Sequence, residues 1–282
     1  MTNQQRIEKL LADISDWPVD HASTAIFDGD NWHTFGDTER SYPLASVTKL
    51  LVAHSILVAS EEEALTLDEE LPGLAPDGAT VRHLLAHTSG VGFDSREPEK
   101  APGEKRIYSS AGYEILADAI EEKTGIAFGD YFREATVEPL GMRACSLEGS
   151  AGHGATGSVA DLQKFIDEIF NPQTLHPETI DEALTVQLPG LNGIVPGYGS
   201  QKPADWGLGF QIHGHPKSRS GLWFGDDMPD DVAGHFGQSG TYLWLHQETQ
   251  RAAIVLTDKA FGSWAKPLWH DYNNQLWGAL GG

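Results

Sequence analysis

The sequence predicts a mixed α/β protein of the α+β type, with an antiparallel sheet flanked by terminal helices and a helical insertion lobe in the middle of the chain. Three observations lead there. β-rich runs lie near both ends, at Ala22–Asp28 and Trp32–Phe35 and again at Thr241–His246 and Ala252–Thr257. The stretch between is rich in helices and loops. The first and last segments, roughly residues 3–15 and Trp264–Leu280, carry apolar residues at helical spacing. The expected division is therefore a sheet-containing lobe from residues 1–60 and 206–282, and a helical lobe from residues 61–205.

Taken in order, Ile7, Leu10, Leu11 and Ile14 mark one face of the first helix. Asp28-Gly29-Asp30 is a turn that joins the first two strands into a hairpin. Ser46 to Ala59 reads as an apolar helix, packed with Leu50, Leu51, Ala53, His54, Leu57 and Val58 and ended by Glu61-Glu62-Glu63. Val81–His87 and Ala111–Lys123 are the next helices, the second stopped by Gly125. A further helix starts at Ser158, with Asp161 three residues on as an acid of the capping-box type. Pro189 to Pro203, rich in Gly and Pro, reads as a long loop, and Glu248-Thr249-Gln250 as the turn of the C-terminal hairpin.

The 282 residues are enough for one large domain or two lobes, and a hydrophobic content of 40% marks a globular chain. The formal charge of -22 repels phosphate backbones and anionic lipid, which excludes nucleic acid and membrane surfaces as expected partners. Cys145 is the single cysteine, so an intramolecular disulfide and a thiolate zinc site are both excluded. Met1 to Asp20 has no apolar run of signal-peptide length and carries Glu8, Asp13 and Asp16 instead. No stretch approaches the roughly 20 apolar residues of a membrane span. These features predict a cytoplasmic protein.

Several catalytic signatures are missing: no Gly-x-Ser-x-Gly, no Walker A loop and no His-Glu-x-x-His. Gly152 to Gly157 matches a dinucleotide-binding pattern, but Glu148-Gly149-Ser150-Ala151 before it is not a strand, so the segment reads as a flexible loop. His83/His87 and His213/His215 have no adjacent third ligand and read as structural histidines. Ser-x-x-Lys occurs twice, at Ser46–Lys49 and Ser263–Lys266. Residues i and i+3 share a helix face, so each lysine can reach its serine. Context separates them. Ser46 opens an apolar helix that would bury Lys49 and disfavour its charged form, leaving an amine able to act as a base. The start of a helix also offers backbone N–H groups to an oxyanion. Ser263 precedes Pro267 on an exposed segment and has none of this.

Leu44-Ala45-Ser46-Val47-Thr48-Lys49 resembles the first motif of the class C β-lactamase and penicillin-binding-protein-like serine hydrolases. Leu84-Leu85-Ala86-His87-Thr88-Ser89-Gly90 resembles the family's His-Thr-Ser-Gly segment. Tyr108-Ser109-Ser110, after Pro102-Gly103, resembles its Tyr-x-Asn block. Glu138-Pro139-Leu140-Gly141-Met142, Gly207-Leu208-Gly209-Phe210 and Gly234-His235-Phe236-Gly237 follow in the family's order, over roughly residues 20–260. The resemblance implies a β-lactamase/transpeptidase-like fold with a cleft between the lobes. It implies hydrolysis of a small-molecule ester, amide or β-lactam through a Ser46 acyl-enzyme, with no metal or organic cofactor. Lys49 and Tyr108 would share the proton transfers, Tyr108 serving as base for the deacylating water. Ser110, His235, Gly237 and Gln238 would bind substrate, with the N–H groups of Ser46 and Gln238 as oxyanion hole. Trp206 and Phe236 would be pocket walls or core, and His87 would orient its loop. Ser110 stands where the family usually has Asn, and a hydroxyl offers less reach than an amide. His235 stands where β-lactamases have Lys, and a neutral imidazole holds a carboxylate less strongly; the His form is frequent among esterase-like relatives. The alternatives are a D-amino-acid peptidase and a non-catalytic scaffold of the same fold.

Overall fold

The computed structural model describes residues 2–214 and 222–281. The chain begins with helix α1 (Asn3–Asp13), strands β1 (Ala22–Phe27), β2 (Trp32–Phe35) and β3 (Tyr42–Pro43), and helix α2 (Thr48–Glu61). The middle holds α3 (Val81–Leu85), α4 (Ala111–Thr124), α5 (Phe128–Phe132), α6 (Glu138–Leu140), β4 (Ser146–Leu147), β5 (Ala155–Gly157), α7 (Val159–Phe170) and α8 (Pro177–Leu184). Strands β6 (Gly193–Val195), β7 (Gly199–Gln201), β8 (Gln211–Ile212), β9 (Ala233–Gly237), β10 (Thr241–His246) and β11 (Arg251–Thr257) follow, then helix α9 (Ala265–Ala279).

Among the described residues the main sheet has the order β2-β1-β11-β10-β9-β8 and is antiparallel throughout. The N-terminal hairpin therefore docks on the C-terminal one, with Ala25 opposite Ile254 and Leu243 on the other side of Ile254. Both sheet faces are covered, so β10 and β11 read as continuous apolar runs instead of alternating ones. On one face Ile26, Tyr242, Trp244 and Val255 pack with Ile7 and Leu11 of α1 and Trp269, Tyr272 and Leu276 of α9. On the other, Ala25, Leu243, Ile254 and Leu256 join the core around α2 and α7. Helix α2 runs through the middle of that core, with every residue from Thr48 to Ala59 buried, which is why its sequence is apolar on all sides.

Local signals set the helix ends. The Ser158 hydroxyl accepts from Asp161 N–H while the Asp161 carboxylate accepts from Ser158 N–H, the reciprocal cap expected for α7. Gly125 ends α4 in the left-handed region at φ 72°. Four expectations need correction. Ser46 does not open the long helix: it sits in a 3-10 turn (Ala45–Val47) and α2 begins at Thr48. The third helix stops at Leu85, because His87 takes a positive φ of 59° that ends the helical path. The Pro189–Pro203 segment contains the β6–β7 hairpin, whose Gly197 and Gly199 adopt positive φ and hid two short strands in a loop-like composition. The Gly152–Gly157 segment is not a plain loop, since Ala155–Gly157 pairs with both β3 and β4. Among the described residues no helix is long and apolar enough to cross a membrane.

Candidate active site

The Ser46 turn is held from three sides. Leu44 N–H donates to the Ala155 carbonyl at 2.9 Å, and the Leu44 carbonyl accepts from Thr241 Oγ1 at 3.1 Å. Strand β9 closes the third side at Gly237, where any Cβ would overlap the Leu44 carbonyl oxygen and stand 2.6 Å from Thr241 Oγ1. Glycine here lets the sheet edge lie directly against the turn, which brings Gln238 beside Ser46. Ala45 sits at φ 46°, an uncommon conformation for a residue with a Cβ that the surrounding contacts impose.

Lys49, one turn further on, is fully buried. Its Nζ lies 3.4 Å from Ser46 Oγ, 3.1 Å from Ser110 Oγ and 2.7 Å from the Gly152 carbonyl oxygen. The first of these is long for a hydrogen bond. The Nζ also stands 4.7 Å over the Tyr108 ring and 5.5 Å from that of Tyr113. No carboxylate pairs with it among the described residues. Burial lowers its pKa to about 7, against a weak upward pull from Asp94 and Glu114. The neutral amine is thus accessible near neutral pH, beside a serine.

Tyr108 is also buried and packs among His87, Phe93 and Trp206. Its Oη lies 3.3 Å from His235 Nε2, while His235 Nδ1 lies 2.7 Å from the Phe236 carbonyl oxygen. Only a protonated Nδ1 can donate to that carbonyl, so the neutral ring presents a lone pair at Nε2 and accepts from the Tyr108 hydroxyl. Burial, helped by Lys49 nearby, lowers the His235 pKa to about 3. Burial raises the Tyr108 phenol well above its ordinary value, with the Ser46 hydroxyl acting weakly the other way. Both therefore stay neutral across the physiological range, and Lys49 is the member of this group that titrates there.

The structure brings Ser46, Lys49, Tyr108, Ser110, His235, Gly237 and Gln238 into one region, in different positions relative to the open space. Ser46, Tyr108, His235 and Gln238 line a cleft of about 340 Å³, counted with its open mouth, together with Phe93, Pro196, Trp206 and Phe236. Ser110 lies behind it, its hydroxyl engaged by Lys49. Gly237 serves by close approach. Phe93, Pro196 and the Gly152 carbonyl escape sequence reasoning, because loop residues far apart in the chain carry no pattern; the one available signal was the run of glycines at 152–157. His87 accepts from Ser109 N–H through Nδ1 at 3.1 Å and packs against the Tyr108 ring at a tilt of 41°, and burial keeps it neutral. It shapes the loop carrying Tyr108.

The competing candidates lie elsewhere. Ser263 is exposed, and Lys266 Nζ stands 5.6 Å from the Tyr198 ring. Burial pushes the Cys145 thiol up to about 12, and it lines no part of the cleft. His83 caps its own helix through Thr80, and His215 lies outside the described residues. Asp231, His246 and Glu248 bring possible ligand atoms within 4.8 Å of one another, but Asp231 and Thr249 already engage both His246 nitrogens.

A sequence model of the family described as Beta-lactamase matches residues 33–272. A solved structure of a beta-lactamase from Mycobacterium bovis superposes with a TM-score of 0.92 at 42% identity, covering 96% of this chain and 99% of that one. Penicillin-binding protein 4* of Bacillus subtilis (strain 168) is 29% identical over 150 residues, 39% of this chain and 33% of that protein. The D-alanyl-D-alanine-carboxypeptidase/endopeptidase AmpH of Escherichia coli (strain K12) is 25% identical over 134 residues, 36% of this chain and 35% of that one. The matched part thus spans about a third of the length of these two relatives.

Proposed function

The chain belongs to the beta-lactamase family, and from that premise we propose that it is a serine hydrolase acting through a Ser46 acyl-enzyme on esters with small apolar acyl groups. The observation that carries this is Lys49: buried, without an acidic partner among the described residues, and 3.4 Å from Ser46 Oγ. A neutral amine there takes the serine proton as Oγ attacks the carbonyl carbon. The N–H groups of Ser46 and Gln238 receive the developing oxyanion. The ammonium then returns the proton, through the Tyr108 hydroxyl, to the departing alcohol. A water attacks the acyl group, gives its proton to the same pair, and releases the acid with Ser46 reprotonated. Tyr108 works in this scheme as a protonated relay and not as a standing tyrosinate, since its phenol is held neutral. In this reading residues 1–60 and 206–282 form one lobe and residues 61–205 the other, with the cleft drawing walls from both. We further propose that this acidic chain acts in the cytoplasm.

The substrate class rests on the cleft walls. Phe93, Tyr108, Pro196, Trp206 and Phe236 are apolar or aromatic, and His235 carries no charge. A β-lactam or a D-peptide brings a carboxylate that wants a cation. Arg106 is no such cation, being buried with its guanidinium on the carbonyls of Ala86, Gln187 and Ala204. A D-amino-acid peptidase is the second reading, favoured by the names of the relatives. The deciding comparison is kcat/KM for p-nitrophenyl butyrate, a D-Ala-D-Ala peptide and a chromogenic cephalosporin at pH 6 and pH 8. The ester is expected to lead at both, because His235 stays neutral at either pH. A cephalosporin or peptide preference at pH 8 overturns the ester assignment, and failure of a fluorophosphonate to label the protein would leave the non-catalytic scaffold.

A further inference from the structure

We infer that Glu114 and Ser150 are positioning residues for the proposed hydrolysis: they brace the 149–154 turn so that its Gly152 carbonyl holds Lys49 beside Ser46. The inference rests on the reading of Ser46 and Lys49 given above and concerns a part of the chain that reads in sequence as a flexible loop.

The contacts form an unbroken series. Glu114 Oε1 accepts from Ser150 Oγ at 2.6 Å, Ser150 Oγ accepts from Gly152 N–H at 3.1 Å, and the Gly152 carbonyl accepts from Lys49 Nζ at 2.7 Å. The turn is closed on itself as well, since the Ser150 carbonyl accepts from His153 N–H at 3.1 Å and Gly154 N–H at 2.7 Å. The glycines follow from this packing. A Cβ on Gly152 would stand 2.9 Å from Ser110 Cβ, and one on Gly154 would stand 2.8 Å from the Ser150 nitrogen and oxygen. A Cβ on Gly157 would stand 3.2 Å from Leu44 Cδ1, next to the Ser46 turn. The run of glycines therefore marks close approach of one backbone segment to the catalytic turn and to α4.

Helix α4 grips the lysine twice. Ser110, at its N-terminus, bonds Nζ directly, and Glu114, one turn on and on the same face, acts through Ser150. Ser110 stands where a longer amide would reach Lys49 from α4; with a hydroxyl there, the Gly152 carbonyl supplies the shortest contact to Nζ. Without these acceptors the aminobutyl chain has only the long contact to Ser46 and two aromatic faces. The charged or titratable groups facing Lys49 are Asp94 and Glu114, which favour its ammonium form, the neutral His87 and His235, and the phenols of Tyr108 and Tyr113.

The test is the pH profile of kcat and KM with p-nitrophenyl butyrate, beside the rate of fluorophosphonate labelling at Ser46. Ser150→Ala is expected to lower kcat by roughly 10-fold or more, within the ~10²-fold that a 1 Å misplacement can cost, with KM little changed. Ser150→Thr, which keeps the hydroxyl, should restore most of it. Glu114→Gln keeps the acceptor but not the charge, so the acid limb should move to lower pH. The double variant Glu114→Gln/Ser150→Ala should lose no more than Ser150→Ala alone. Unchanged kcat and acid limb in both single variants, with wild-type labelling at Ser46 intact, overturns this inference and leaves the hydrolase reading standing. Losses that multiply in the double variant, or no rescue by Thr, overturn it too. If Ser150→Ala does not fold, the Glu114→Gln profile decides. A wild-type protein that does not label at Ser46 overturns both.

Discussion

The pattern Ser-x-x-Lys occurs twice in this chain, and the two copies have opposite surroundings. At 46–49 the lysine is fully buried, held by Ser110 and Gly152, and its pKa falls to about 7. At 263–266 the serine and lysine are exposed, and the lysine rests near an aromatic ring at the edge of α9. Both lie at the same kind of place, just before or within the first turn of a long helix. The difference lies in what packs around them. Helix α2 runs through the core, while α9 covers one sheet face and leaves its other side to water. Four residues of sequence supply the groups, and burial separates their behaviour, because desolvation is what lowers the Lys49 pKa to about 7.

The sharpest way to break the comparison is to remove each serine. Ser46→Ala is expected to abolish fluorophosphonate labelling altogether, while Ser263→Ala leaves it at the wild-type level. An adduct found by mass spectrometry on Ser263 or Cys145 would reverse the assignment.

Next come the lysines, where activity and stability should move in opposite directions. Lys49→Met should lower kcat/KM by roughly 10²–10⁴-fold, and the acid limb near pH 7 should vanish from the residual rate. The unperturbed lysine pKa is about 10.4 and the folded value is about 7, so between these the unfolded chain holds a proton that the folded chain lacks. Stability from this site therefore rises with pH across that window, and its burial penalty is fully present below about 7. Lys49→Met should accordingly raise Tm at pH 6, by an amount that shrinks toward pH 10. Lys266→Met should change neither quantity. A Tm gain at Lys266, or none at Lys49, would mean that burial does not distinguish the two.

The smallest of the three effects is expected at Tyr108. Tyr108→Phe keeps the ring packing against His87, Phe93 and Trp206 and removes only the hydroxyl. Turnover should fall by about 10²-fold, the lower end for a lost proton-transfer group, with Tm little altered. Near-wild-type turnover at saturating substrate would leave the proton work to Lys49 and water.

The legible parts of the molecule are those in which one residue's local surroundings already decide its state. The strands at 22–27, 241–246 and 251–257 show as β-rich runs, and Ser158 with Asp161 caps its helix through neighbours three residues apart. The parts that were not legible depend on residues far apart in the chain. The Gly152–Gly157 run reads as a flexible loop until Lys49, 103 positions from Gly152, is placed on the Gly152 carbonyl. His235 reads as a group of ordinary basicity until burial beside Tyr108 and Lys49 makes it neutral at every relevant pH.

The sequence by itself determined the strands near both ends, Ser46 and Lys49 as a candidate pair, the absence of an intramolecular disulfide, and a family pattern spread along the chain, because each of these is written in residue types and short spacings. The tertiary structure alone decided that Ser110 bonds the lysine, that Gly237 serves by close approach, and that Phe93 and Pro196 join Trp206 around the cleft. Proton affinity and pocket shape depend on the solvent excluded and on the atoms that segments bring from more than a hundred residues apart, and a local sequence window contains neither.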